Sequence, residues 1–201
     1  MGLPEHAWQT GFADLLTRQF DMAHPVSHDN FDGNANLYIG MFAVFAVVLY
    51  LFNREIRLLD KLKKGLLLVL FYLSFSEDIL NFIWHGFHNQ YGIPNRFSFL
   101  FGFVLLCMLF EVMEHRDCIK NWQVVLSCLV GVGLLFVSRK WAESPLDDGI
   151  YGAAGMLMLL YGLILFVMSF DKRHRKWHVT AFSAVAVAEQ CVTAVLGFDY
   201  I

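Results

Sequence analysis

The chain has 201 residues, of which 57% are hydrophobic and 16% charged, and its mean hydropathy is +0.51. Soluble domains carry roughly a quarter charged residues, and here the apolar surplus falls in blocks, so the expected class is an all-α integral membrane protein. A net charge of −3 argues against nucleic acid as a partner.

Residues 1–36 read as an outer polar segment and 37–201 as a membrane helical domain. In the first, Phe12, Leu15, Leu16 and Phe20 recur at helical spacing, which predicts a short amphipathic helix over about Gln9–Phe20. The segment holds acidic groups and no basic run ahead of a short apolar core, so it is not a signal peptide. His24–Gly33 is a loop by its Pro, Asn, Asp and Gly content. Its His24, His28, Asp29 and Asp32 lack the spacing of a closed metal site.

Six apolar runs follow. The first is Leu37–Phe52. The second, Gly65–Phe75, is too short to cross unless it borrows Leu58–Lys64, with its lysines snorkelling. Phe97–Val112 is the third, with Glu111 snorkelling at its end, and Val124–Val137 the fourth. Ile150–Phe170 is the fifth, with Gly152 and Gly155 marking close helix contact, and Val179–Leu196 the sixth. Cys107, Cys128 and Cys191 sit in these runs and Cys118 in a polar loop; no CxxC pair occurs, and they read as packing residues.

Connections after the first and fifth runs are basic and that after the third is near neutral. The N-terminal segment, Ser76–Asn95 and Trp141–Gly149 lean acidic, with Arg139 and Lys140 as a mild dissent. The positive-inside rule then predicts about six spans with both termini outside.

The stretch Ser74–Phe103 gathers most of the polar chemistry. Glu77 and Asp78 close the second span, and Ile79–Phe87 is too short and amphipathic to cross, which predicts a re-entrant or interfacial segment with Trp84 at the headgroup level. Pro94, Asn95 as a cap and Arg96 open the third span. A helix start beside a guanidinium forms an anion seat, while the alternative is an arginine reaching the headgroups. His85 and His88, with Glu77 or Asp78, suit a polar substrate site, a metal or simple interfacial hydrogen bonding; no metal is assigned. His115, His174 and His178 read as solvated. Glu189, beside Gln190 in a span rich in small residues, faces protein, either as a functional group or as a structural hydrogen-bond acceptor.

The runs NLYIG at Asn36–Gly40, NFIWHGF at Asn81–Phe87 and PNRFSFLF at Pro94–Phe101 resemble the YfhO family of bacterial multi-pass membrane proteins, and the resemblance extends to the late-span Glu189. It implies a protein similar to GT-C glycosyltransferases, located in the bacterial cell membrane. Such proteins take a polyprenyl-phosphate-linked sugar as donor, with no other cofactor implied, and a cell-envelope polymer such as lipoteichoic acid as acceptor. It also implies that this chain is an internal or truncated portion, incomplete alone, whose catalytic Asp lies upstream. Asp14, Asp21, Asp29 and Asp32 therefore receive no catalytic role, and the catalytic residue is unknown. On this reading Arg96 with Asn95 holds the carrier phosphate, and His85, Asn81, Trp84 and His88 shape the pocket. Glu77, Asp78 and Glu189 are further candidates. Two rivals stand beside it: a permease component using Glu189 and the outer histidines, and a non-catalytic membrane scaffold.

Overall fold

The computed structural model describes residues 10–20, 35–88, 95–171 and 173–198. Among them are eight α-helices and no strand: α1 (Phe12–Thr17), α2 (Phe42–Phe52), α3 (Leu58–Ser76), α4 (Asp78–Trp84), α5 (Ser98–Glu114), α6 (Asn121–Trp141), α7 (Asp148–Phe170) and α8 (Arg175–Phe198). By length and composition α6, α7 and the Lys176–Val195 part of α8 suffice to cross a membrane. The chain is an all-α membrane protein. The loop at His24–Gly33 and Pro94 lie outside the described residues.

The centre is α2. Its sequence FAVFAVVLYLF has no polar face, and a helix apolar all round belongs inside a bundle. It packs between α5 and α6, with Phe45, Ala46, Leu49 and Tyr50 fully buried. Around it α6 packs on α7, α7 on α8, and α3 on α5. The short α1 lies against α6, and its Leu15 and Leu16, with Phe20 beyond it, are buried rather than spread on a membrane surface.

The first apolar run departs from its expected form. Only Phe42–Phe52 is helical, roughly 16 Å of rise against the ~30 Å of a bilayer core. Residues 35–41 are non-helical, with Ala35, Leu37 and Met41 buried. Gly40 sits at φ +122°, where a Cβ would strike the Phe42 ring at 2.3 Å. The polar backbone of this segment finds its partners on α8, as described below.

The second run follows expectation in starting its helix at Leu58, but Lys64 does not snorkel. Its Nζ lies 2.6 Å from Glu111 Oε1 and donates to the Tyr50 hydroxyl at 2.9 Å, tying α2, α3 and α5 together. Glu111 is thereby paired rather than turned to the interface. The helix contact expected at Gly152 and Gly155 is elsewhere too, since a Cβ at either would meet open space. At Gly131 it would strike Met158 Sδ at 2.1 Å, and at Gly162 it would strike Cys128 Sγ at 2.6 Å. These two glycines, one on α6 and one on α7, set the close approach of that pair.

The polar connections sort to two ends of the bundle. Asp14 Oδ1 accepts the backbone N–H groups of Glu143 and Ser144 at 2.9 and 3.2 Å, joining α1 to the α6–α7 connection. At the other end Gln123 Nε2 donates to the Phe52 carbonyl (2.8 Å), Lys61 Nζ donates to the Asn53 carbonyl (2.5 Å), and Ser169 bonds Asn121. The connections richest in Lys and Arg lie at this second end.

Candidate functional site

The turn from α3 through α4 into α5 is held by a chain of polar contacts. Glu77 caps α4, its carboxylate accepting the Leu80 N–H at 2.8 Å. Ser74 Oγ donates to the Leu70 carbonyl and accepts from the Trp84 indole at 3.0 Å. The indole stacks on Phe97 with centroids 4.9 Å apart, and Phe97 stacks in turn on Phe75 at 5.1 Å. Trp84 is thus packed into the turn with 39% of its surface exposed.

Asn81 and Asn95 form the knot of this turn. Asn81 Nδ2 donates to Asn95 Oδ1 at 2.5 Å, and both residues are buried. Asn95 occupies the left-handed region at φ +51°, which Asn tolerates better than most residues. The cap expected from Asn95 is not made: its side chain is committed to Asn81, α5 begins at Ser98, and only the Asn95 carbonyl serves that helix, accepting Ser98 N–H.

His85 Nδ1 lies 2.9 Å from the Asn81 carbonyl, which can only accept, so Nδ1 carries a proton. Its Nε2 is buried without a hydrogen-bond partner among the described residues. His88 is exposed, its Nδ1 on the Gly86 carbonyl at 2.8 Å. Arg96 is exposed at the threshold of α5, and Asp78 is half-buried in the first turn of α4. Gly86 and Phe87 follow at positive φ, leaving Phe87 64% exposed. The structure therefore unites Glu77, Asn81, Trp84, His85 and Asn95 in one turn, with Arg96 and His88 exposed. Among the described residues no three His, Cys, Asp or Glu side chains converge as metal ligands.

Glu189 lies in a separate cluster. Its Oε1 accepts from Tyr38 OH at 2.5 Å and from the Met41 N–H at 2.7 Å, while Oε2 accepts from Tyr161 OH at 2.5 Å. Next to it Gln190 Nε2 donates to the Ile39 carbonyl at 3.2 Å. A carboxyl group with only 4% exposure has thus gathered three donors. These bonds replace the helical ones that residues 38–41 forgo.

Between α3 and α6, floored by α2 and crossed by α1, runs a cavity of about 1120 Å³. Ala43, Val44, Val47, Leu68, Leu105, Val130 and Leu134 line its depth. Thr10, Asp14, Arg18, Gln19, Ser76, Glu143 and Ser144 form its polar rim. Ser76 joins that rim directly to the α4 cap at Glu77.

A family model described as bacterial membrane protein YfhO matches residues 10–199. The chain belongs to the YfhO family. No curated protein matches it, and no solved structure does. The YfhO match takes in the α3–α5 turn, the cavity and Glu189 together. Within this YfhO chain the sequence pointed to Glu189 but not to its donors. Tyr38 stood in the NLYIG run and Tyr161 in the middle of an apolar helix, and hydroxyls placed so deep were the available signal. The cavity left no trace in the sequence, because its walls come from five separate segments.

Proposed function

We propose that this chain is part of a YfhO-type membrane glycosyltransferase that takes sugar from a polyprenyl-phosphate-linked donor and passes it to a cell-envelope polymer such as lipoteichoic acid. The observation that carries the reading is Arg96, an exposed arginine on the α3–α5 turn, at the same end of a membrane bundle as the polar rim of a large apolar cavity. A guanidinium there meets the carrier phosphate and stabilises it as a leaving group while charge develops. His85, held by the Asn81 carbonyl on the same turn, shapes the pocket that receives the sugar. Asn81, Asn95 and Trp84 position that histidine rather than touch substrate, and Glu77 and Asp78 set the start of α4.

The same reading places the chain as a multi-pass protein of the bacterial cytoplasmic membrane, with the Lys- and Arg-rich connections inside and both termini outside. Arg96→Ala in membranes supplied with the lipid-linked sugar and acceptor polymer is expected to lower transfer by roughly 10²-fold, with Arg96→Lys retaining part of it. Unchanged transfer by Arg96→Ala at normal membrane abundance would sink the phosphate assignment.

A further inference from the structure

We propose that the outward face of α8 is the contact between two copies of this chain, paired in parallel through Gln190. The inference is independent of the transferase reading and concerns what covers one flank of the bundle.

The neighbouring helices show what a lipid-facing surface looks like in this chain. Helix α5 exposes Phe99, Phe103 and Phe110, and α7 exposes Met156, Leu159 and Leu163. Helix α8 differs. It packs on α7, and 11% of the residues in its most apolar stretch are buried, against 33% in α6 and in α7. With so much of it uncovered, its exposed residues from Thr180 to Val195 are still only Ala, Ser, Thr, Cys, Val and one Gln. A face of small side chains lets another helix approach closely, which is how membrane helices associate.

Five of these exposed positions fall on one line. Thr180, Ser183, Val187, Gln190 and Ala194 follow at spacings of three, four, three and four, the seam of a left-handed helix pair. Lys176 continues the line one turn earlier, where its stem is long enough to carry the ammonium out to the headgroups. The seam is also polar at Gln190. One N–H of that amide donates to the Ile39 carbonyl at 3.2 Å, which leaves it a second N–H and Oε1. Hydrocarbon offers such a group neither donor nor acceptor, so a polar side chain inside a span turns to protein.

The chemistry of the seam selects a second copy as the occupant. Copies of one chain insert in the same orientation, so a two-fold axis along the membrane normal sets α8 parallel to its counterpart. Each seam residue then faces itself. A carboxylate or an ammonium would be repelled there, whereas an amide both donates and accepts and so complements itself. Gln190 of each protomer gives its second N–H to the other's Oε1, closing two reciprocal bonds. Ser183 pairs through its hydroxyl in the same manner. Because Gln190 also holds the Ile39 carbonyl, the pair steadies the non-helical segment that leads into α2.

The test uses the full chain in vesicles of phosphatidylglycerol and phosphatidylethanolamine, with Cys118→Ser and Cys191→Ser as background. In it Ser183→Cys, Val187→Cys and Ala194→Cys are expected to form disulfide-linked dimers about tenfold more readily than Ala181→Cys and Val192→Cys, which lie off the seam. Energy transfer between chains labelled at the N-terminus with donor or acceptor then gives the dimer fraction as lipid is added. Gln190→Leu is expected to weaken the dimer roughly tenfold. Val187→Trp, which keeps every hydrogen bond, is expected to weaken it at least as much with the unfolding midpoint in detergent unmoved. Leu163→Trp on the exposed face of α7 leaves it unchanged. Disulfides formed equally at all five positions, energy transfer indifferent to both Gln190→Leu and Val187→Trp, or a different polypeptide linked to the seam cysteines overturns the pairing.

Discussion

Two polar islands interrupt the apolar chain, and they are built on opposite principles. Around Glu189 three donors converge on a carboxylate that is almost fully buried. In the α3–α5 turn Asn81 donates to Asn95, while His85 Nε2 is buried without a hydrogen-bond partner among the described residues and Arg96 is an exposed residue. A saturated buried site holds structure, because any change strands a donor. A turn packed rigidly behind, with Arg96 and His88 at its exposed surface, is suited to meeting another molecule. In the sequence alone both are clusters of polar residues among apolar ones, and only the partners tell them apart.

The comparison breaks most sharply at Glu189. Glu189→Ala strands two tyrosine hydroxyls and the Met41 N–H, and is expected to destabilise the protein by about 3 kcal/mol or more, read as a lowered unfolding midpoint in detergent. Glu189→Gln keeps an acceptor and costs less. A transport role for Glu189 would instead show as lost flux with the unfolding midpoint unmoved.

Next in size is the asparagine knot. Asn95→Ala removes the bond to Asn81 and leaves a Cβ-bearing residue at φ +51°, for an expected loss of about 2 kcal/mol by the same measurement. Asn95→Gly, which relieves the backbone but not the lost bond, is expected to fall between that variant and the wild type. Arg96→Ala should change stability by no more than ~0.5 kcal/mol, as for other exposed positions. A large destabilisation there would make Arg96 a structural residue of the turn.

The smallest effect concerns a third cluster, centred on Asp171 in the connection between α7 and α8. Asp171 accepts from the Arg173 and His174 amides and from the His174 and His178 rings, and the His174 side chain above all lowers its pKa from 3.8 to about 2. A carboxylate whose folded pKa is depressed contributes stability that is complete above its ordinary value and fades as pH falls through about 2. Unfolding followed from pH 5 down to 2 is expected to show this decline in the wild type and a shallower one in Asp171→Asn. His174 and His178, expected to be solvated, are thus partners of one carboxylate, with His178 largely covered.

Local rules made much of the fold legible. The start of α3 at Leu58 followed from the shortness of Gly65–Phe75, whereas the run from Ile79, expected only as a re-entrant or interfacial segment, begins as the short helix α4. The class followed from apolar blocks that a soluble domain could not bury. What stayed hidden depended on partners distant in sequence. Leu37–Met41 is as apolar as any helix of the chain, and it is kept out of helix by Gly40 and by Glu189, 148 residues beyond Met41. Gly152 and Gly155 look equal to Gly131 and Gly162 on paper, yet only the latter two face a neighbour. Arg96 and His85 were legible as polar residues in the right stretch, whereas the unpartnered state of His85 Nε2 required the Asn81 carbonyl to be placed.

The bond between Met41 and Glu189 also orders events during synthesis. The chain emerges N-terminus first, so the segment before α2 enters the membrane region long before α8 exists to receive its backbone and hydroxyl groups. Until then Tyr38 and Met41 must keep water or lipid headgroups as partners, and α2, at eleven residues, is too short to span by itself. The segment leading into α2 therefore gains these partners only once α8, 148 residues beyond Met41, has been made.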